Sequence, residues 1–529
     1  MDRDKIMKAC YVLCVAIVFI RYLGPEDVDV IYPANPGDPD VLPPGVSRSV
    51  AVVGGGLAGL SAALELAERG FNVTVKDSRP VVGGRLSSTD VEILGETFRV
   101  DHGFHAWFYN YHNFKDIRRR LGINNDFERW RANHFRFREY EPEVMESKGI
   151  YPFNVIATLL FSSNFRVNAA FDIVRISTIF AYYNHDTVYD RYGNLTFDEW
   201  AEEARVPVWF ADTVLRPALS VTFNERTVIN AAEMMMYSHF YFTGDNKADI
   251  REIATRDHQT AVFDPWTERL QSLGARIETN SGVEKLILDS SGRIVGISSN
   301  PGQVYDHVVL STDLKAMQSI LAETNREYPK SAVVACMNSR LSQMPLAPHY
   351  KVITLWFDQL LDPEQPKILQ TPDFSPITLA VQRHLIEKQS REWSERTGGS
   401  VVEFHLYAWR YGEVRDSEVW SVISPTVKEL LPEIFERNFK VLDYFIHSGD
   451  NFASFSSGLE QMRPTSTFPT ECGADNVGLA GDWLHTPFPS ALMERAVTTG
   501  RIAANQILLA NHVKQAPVTV TSRHGPGYI

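Results

Sequence analysis

A chain of 529 residues, 44% hydrophobic and 22% charged, has the balance of an ordinary globular protein and enough length for two or three domains' worth of core. Its net charge of −13 argues against nucleic acid as a partner, because phosphate binding needs a cationic surface. The four cysteines, Cys10, Cys14, Cys336 and Cys472, form no CxxC pair and no metal-type cluster, so neither a disulfide framework nor a metal site is expected.

The first element is an unbroken apolar run over residues 9–20, flanked by Lys8 and Arg21. A full span wants about 20 apolar residues, but with 7–23 included and both cations reaching to the interface the segment can anchor in a bilayer. Residues 1–23 are therefore expected to be a retained membrane anchor, with a targeting segment or a buried helix as the alternatives. Pro25, Pro33, Pro36, Pro39, Pro43 and Pro44 mark 24–46 as an extended linker.

The body opens with a short apolar strand over 49–53, then Gly54-Gly55-Gly56-Leu57-Ala58-Gly59, then a helix over 57–69 stopped by Gly70. A second strand over 71–75 leads to Asp77. A lone G-x-G-x-x-G carries little information; a complete strand–loop–helix–strand–acid unit predicts a dinucleotide site. Gly54 makes the turn, Gly56 lets a pyrophosphate approach, Gly59 lets helix pack on strand, and Asp77 accepts from ribose hydroxyls. The helix N-terminus offers N–H groups and a positive dipole.

Residues 127–255 change character, with apolar stretches at 155–161 and 173–180 that read as helices. Thr196-Phe197-Asp198-Glu199 matches a capping box, and Met234-Met235-Met236 and Phe240-Tyr241-Phe242 add flexible and aromatic surface. From 260 the α/β pattern returns. It has a helix at 265–273, strands at 274–279, 283–288, 294–297 and 306–312, then strands at 352–357 and 401–407 and a helix at 425–437. A strand at 477–480, a turn at Gly481-Asp482 and a long helix at 489–509 close the body. The expected order is a dinucleotide-binding domain from 47–125, 260–312 and 465–510, a helical substrate domain at 126–259, a second substrate part at 313–464, and a tail at 511–529.

Two further motifs carry chemistry. Gly83-Gly84-Arg85 permits close backbone approach beside a cation suited to a phosphate or an anionic flavin. Asp482 sits at a bend where it can meet ribityl or pyrophosphate oxygens. Together with the first βαβ unit, the strand near Val283 and Ala480-Gly481-Asp482 before a long helix, these resemble the flavin-containing amine oxidase and phytoene desaturase superfamily. The stretch from Asp101 to Asn113, and Ala480-Gly481-Asp482-Trp483 followed by Pro487 to Ala496, resemble its carotenoid branch, above all the carotene desaturase/methyltransferases that aromatise a β-ring. His485 departs from the residues common at that place. The resemblance implies an α/β fold, a Rossmann-like FAD-binding domain of the glutathione-reductase and amine-oxidase type with a mixed α+β substrate domain. It implies FAD held by Gly54, Gly56, Leu57, Ala58, Gly59, Asp77, Gly84, Arg85, Val283, Gly481, Asp482 and Met493.

By the same resemblance the substrate is a lipophilic isoprenoid or carotenoid, drawn from a membrane, and the electron acceptor is a quinone or oxygen. The reaction is hydride removal from an allylic carbon followed by proton loss, with a methyl shift if a ring is aromatised. His105 and Glu494 are the candidate bases. Each has a structural alternative: a backbone hydrogen bond for His105, and a pair with Arg495 or Arg85 for Glu494. Phe104, Trp107, Phe108 and Trp483 are candidate tunnel aromatics, or core. Rival readings are a carotenoid isomerase or linear-polyene desaturase, an amine oxidase for a polar amine, and a prenyl-lipid chaperone without catalysis.

Overall fold

The computed structural model describes residues 28–146, 162–165, 170–217, 225–245, 247–248 and 250–527. The expected anchor at 1–23 and the apolar stretch at 155–161 lie outside these. At the centre is a five-stranded parallel sheet. In chain order its strands and flanking helices are β1 (Ser49–Val53), α1 (Leu57–Ala67), β2 (Asn72–Lys76), α2 (His112–Leu121), β3 (Arg276–Glu278), β4 (His307–Leu310), β5 (Val477–Leu479) and α3 (Leu492–Ala510). The spatial order is β3-β2-β1-β4-β5, every pair parallel. The sheet thus joins three stretches far apart in sequence. β1 and β4 read as continuous hydrophobic or β-branched runs because both faces of the sheet are covered.

On one face α1 packs against α3, tied by the Ser61 hydroxyl donating to the Val497 carbonyl at 2.8 Å. The buried Glu65 locks three helices: it meets Arg69 at 2.8 Å, Arg120 of α2 at 2.7 Å and Arg501 of α3 at 3.0 Å. Burial alone would raise its carboxyl, but the three guanidiniums outweigh burial and hold it below the usual range. On the other face, helices Leu314–Glu327 and Ala332–Leu341 bury Leu314, Met317, Leu321 and Met337 beside Val53 and Leu310. The stretch 313–341, expected in the substrate part, therefore belongs physically to the parallel sheet.

A seven-stranded, mostly antiparallel sheet stands beside it, in the order 441–449, 350–357, 400–406, 377–382, 368–370, 132–135, 143–146. Among the described residues its single parallel contact joins Ile368–Gln370 to Ala132–Phe135. The region 126–259 is consequently not purely helical: besides these edge strands, Phe127–Trp130 and Arg251–Ala254 pair in a small sheet with Ala106–Phe108. Ala170–Ala181 is helical as the sequence pattern predicts, and Thr196 and Glu199 form the full capping box.

Three expectations are corrected. The helix foreseen at 425–437 runs over Asp416–Leu430 with Pro425 inside it, and breaks at Leu431 because Pro432 disfavours a helical residue before it. The linker and the tail are not separate extensions: Val28–Ile31 pairs antiparallel with Val518–Thr521, and the Leu42 N–H donates to the Arg69 carbonyl. Cys336 and Cys472 are joined by a disulfide that ties helix Ala332–Leu341 to the turn before β5.

Candidate active site

A cavity of about 1140 Å³ runs from the first β–α turn to the seven-stranded sheet. At its polar end Gly54, Gly56, Leu57 and Ala58 form one wall and Gly83, Gly84 and Arg85 the other. A side chain at Gly56 would sit 3.7 Å from the Gly84 Cα, so a methyl group would occupy the slot between the two glycines. The N-cap of α1 is Gly56, with no capping side chain and no acidic residue in the first turn. The orphan N–H groups of Leu57 and Ala58 therefore face a cradle with room for an anion. This fits the pyrophosphate of a dinucleotide. Gly59 does not line the cavity; a Cβ there would lie 1.9 Å from the Gly54 carbonyl oxygen and 2.6 Å from Ser311 Oγ. Its service is to let α1 close on the turn.

Asp77 lines the same end but is already engaged: Oδ2 accepts from the Gly55 N–H at 2.8 Å and Oδ1 from the Arg79 N–H at 2.9 Å. Each oxygen retains a further lone pair for a hydroxyl. Arg79 in turn donates to the Gly84 carbonyl at 2.7 Å, bracing the two glycine loops against each other.

Midway, Arg85 forms a 2.6 Å ion pair with Asp482 and lies 4.0 Å over the Phe452 ring. The two residues singled out separately in the sequence thus form one group. Burial works against the Arg85 charge, but Asp482 outweighs it and raises the guanidinium further. Gly481, Asp482 and Met493 border the cavity here, and the first turn of α3 has no capping side chain; Val283 lines the end beside Asp77, where the Ser281 N–H donates to the Asp77 carbonyl at 2.8 Å. Behind Asp482 is a network the sequence did not reveal. Glu233, fully buried, accepts from Arg495 at 2.7 Å, Arg463 at 2.9 Å and the Tyr189 hydroxyl at 2.6 Å. Burial pushes Glu233 up, yet Arg463 and Arg495 hold it at about 2. Arg495 also donates to the Asp482 carbonyl at 3.2 Å. His485 completes the network with a 2.6 Å contact to Glu460.

The other arm of the cavity is apolar. Phe104, Phe108, Trp130, Phe180, Phe210 and Tyr241 border it, with Val214, Leu215, Leu379 and Leu492 between them. Two single π turns, Ala211–Leu215 and His239–Thr243, bring side chains to this wall, a distortion common at binding sites. Of the candidate aromatics, Phe104 and Phe108 line the void. Trp107 does not: it is buried and stacked on Phe114 at 4.4 Å. Trp483 does not either; its indole N–H donates to the Thr312 carbonyl at 3.1 Å.

The two candidate bases have different fates. His105 borders the cavity, and its Nδ1 lies 2.8 Å from the Gly103 carbonyl, which fixes the proton on Nδ1 and the lone pair on Nε2. Burial and the neighbouring His258 push it down to about 3, so it rests neutral. Glu494 does not reach the cavity, and it pairs with neither Arg495 nor Arg85. One oxygen accepts from the Asn113 N–H at 2.8 Å and the other from the Phe114 N–H at 3.2 Å, so Glu494 caps α2 from across the helix interface. Asn113 Nδ2 adds a third contact at 2.9 Å.

A polar group packed against the backbone beside His105 has no sequence signal of its own. Strand Ser400–Leu406 carries Glu403 and His405, and Tyr407 follows at the next alternate position. Alternation puts all three on one face. Glu403 Oε1 is 2.6 Å from His405 Nε2, and His405 Nδ1 is 2.6 Å from the Tyr407 hydroxyl. Tyr407 borders the cavity, while Glu403 and His405 are buried behind it.

A parallel sheet with an uncapped glycine cradle, opening onto an apolar cavity, defines a dinucleotide-binding enzyme fold with an apolar chamber beside the cofactor cradle. The model of NAD(P)-binding Rossmann-like domains matches residues 52–121, and that of flavin containing amine oxidoreductases matches 219–508, more than half the chain. The chain belongs to the flavin containing amine oxidoreductase family and is an FAD-dependent oxidoreductase. It is similar to two proteins named carotenoid phi-ring synthase. The one from Chlorobaculum tepidum is 24% identical over 90% of this chain and 91% of its own. The one from Streptomyces griseus is 27% identical over 88% of each. Among solved structures, putrescine oxidase superposes with a TM-score of 0.61 at 13% identity, covering 88% of this chain and 99% of the other, which shows the shared fold.

Proposed function

We propose that this enzyme oxidises a carotenoid, with aromatisation of a β-ring as the reaction. The observation that carries the proposal is the cavity itself: a glycine cradle for a dinucleotide continuous with an arm walled by Phe104, Phe108, Trp130, Phe180, Phe210 and Tyr241. A polyene ring buries apolar area there at about 25 cal/mol per Å², whereas a small polar amine would gain little from such walls. The similarity to carotenoid phi-ring synthases supports the same substrate class.

In this reading Gly54, Gly56, Leu57, Ala58 and Gly84 receive the FAD pyrophosphate and Asp77 a ribose. Arg85, Asp482, Gly481 and Met493 receive the flavin portion, and Val283 lies with Asp77 at the other end. FAD supplies a hydride acceptor. The protein fixes which ring carbon faces it, excludes water with the aromatic arm, and removes the proton that follows. Two rounds of hydride and proton loss per ring, in one of which a methyl group moves to the cationic carbon before the proton leaves, convert a β-ring to an aromatic ring. A membrane-held substrate fits membrane association through residues 1–23, and a quinone or oxygen would take the electrons. Among the described residues no helix is long and apolar enough to cross a membrane.

The test is expression in a β-carotene-producing bacterium, with extracted pigments analysed by chromatography and mass detection. A product four hydrogens lighter per converted ring, with all carbons retained, is expected. Unchanged β-carotene beside a flavin-loaded protein would refute the ring reaction.

A further inference from the structure

Removing a proton from the ring after hydride loss needs a group on the cavity wall with somewhere to pass the charge. Glu494 is occupied at the N-terminus of α2. His105 faces the cavity, but among the described residues no carboxylate hydrogen-bonds to it, so its imidazolium would have no direct counter-charge. The strand packed beside it supplies what His105 lacks. Glu403 is a carboxylate: burial acts to raise it, but Arg383, with Nε 3.9 Å from Oε2, and His405 outweigh burial and lower it. A carboxylate only accepts, so the 2.6 Å contact places the ring proton on His405 Nε2. The Phe104 N–H donates to the same Glu403 oxygen at 2.7 Å, and its 3.2 Å approach to His405 Nε2 is the secondary contact. His405 Nδ1 then accepts from the Tyr407 hydroxyl. Arg383 also reaches the buried Asp101, with Nη2 2.5 Å from Oδ2, and His258 Nδ1 lies 3.5 Å from the other Asp101 oxygen. Arg383 is thus shared between Asp101 and Glu403, and Glu403 Oε1 is the direct carboxylate partner of His405.

We propose that Tyr407 is the proton acceptor of the reaction, with His405 and Glu403 as the positioning residues that drive it; the assignment rests on the carotenoid reading above. The C–H bond beside the cationic carbon breaks, and its electron pair becomes the new ring double bond. The proton goes to the Tyr407 oxygen as the phenol proton passes to His405 Nδ1, and Glu403 stabilises the imidazolium. FAD, when bound, would accept the hydride lost beforehand, so each round would take two electrons and two hydrogens from the ring, and His405 returns its proton to water through Tyr407. Burial raises the Tyr407 phenol, so the residue works as a relay and not as a standing phenolate. The arrangement follows the logic of a hydroxyl–imidazole–carboxylate triad, with a phenol in the hydroxyl's place.

The test uses the full-length, FAD-loaded enzyme with β-carotene and, in parallel, phytoene, and compares wild type with Tyr407→Phe, His405→Gln, their double variant and His105→Gln. Tyr407→Phe is expected to lower kcat about 100-fold or more while KM and bound flavin stay within about twofold. The double variant is expected to be no slower than the slower single one, because the two residues act as a unit. If Tyr407→Phe fails to hold flavin, His405→Gln carries the same expectation, since it lies behind the wall. A Tyr407→Phe rate within about fivefold of wild type, multiplying single effects, or a loss confined to His105→Gln would overturn the assignment and leave the carotenoid reading standing. A flavin-loaded wild type that oxidises neither carotenoid would overturn that reading, and the assignment with it.

Discussion

Replacing Glu494 by glutamine separates a reacting carboxyl from a structural one. In the structure the carboxyl serves two buried backbone N–H groups at the start of α2, whose own N-cap residue, Tyr111, makes no side-chain cap. Burial raises Glu494 to about 7 despite these donors. The native state therefore keeps its proton to higher pH than the unfolded chain, which releases it near the ordinary value of 4.5. Its stabilising share is whole below that value and is lost as pH rises through about 7, about 3 kcal/mol in all, most of it between roughly pH 5 and pH 8. Glutamine does not titrate. It keeps one acceptor for Asn113 but turns an N–H₂ towards the Phe114 N–H, which costs about 1–3 kcal/mol. The variant should thus be less stable than wild type near pH 5, and the gap should close or reverse near pH 8. Equilibrium urea unfolding followed by circular dichroism at both pH values measures this, with turnover expected to follow the folded fraction. A gap that does not move with pH would refute the titration. Wild-type stability at both pH values with turnover abolished would refute the structural role and return Glu494 to the chemistry.

Other substitutions test the cradle and the frame. Gly59→Ala places a methyl group 1.9 Å from the Gly54 carbonyl oxygen, and the turn has to open. A cost of about 3 kcal/mol and loss of bound flavin are expected, read from thermal unfolding and visible absorbance. Asp482→Asn removes the charge that Arg85 meets at 2.6 Å, and FAD affinity by fluorescence titration is expected to fall roughly tenfold, about 1.4 kcal/mol. Opening Cys336–Cys472, which are separated by 136 positions, with a reductant or by the double serine variant is expected to lower stability by about 2–5 kcal/mol. Unchanged urea midpoints with and without reductant would count against it.

The parts legible in sequence were those whose physics is local. The run Ser49–Val53, the glycine turn and α1 announce themselves because strand, turn and helix each have a short-range signature, and β5 with α3 repeats the pattern at the other end of the body. Pairings across long separations have no such signature. The contact between Ala132–Phe135 and Ile368–Gln370, the disulfide, and the ribbon of Val28–Ile31 with Val518–Thr521 depend on how distant segments are brought together. A run dense in proline read as a linker because proline marks where regular structure stops, not where the next strand will find an edge.

The seating of Glu494 away from Arg495 has a geometric cause that bears on the site. Glu494 and Arg495 are adjacent in sequence, which invited a pair, but successive residues on a helix point about 100° apart. Glu494 turns to the N-terminus of α2, and Arg495 turns to Glu233 and the Asp482 carbonyl. One turn of α3 thus fixes two things at once, the seating of α2 and the backbone of the loop that carries Asp482. The strand is the opposite case: in the sequence 401–407 carries a β pattern and no further signal. A spacing of two is what brings side chains together on a strand, and the triplet lies on a strand whose end meets the cavity. Polar residues at alternate positions of a strand buried on both faces are costly unless they satisfy one another. Their presence in such a strand, with an exit to the cavity through Tyr407, is the reason to look for the proton's path there and not along α3.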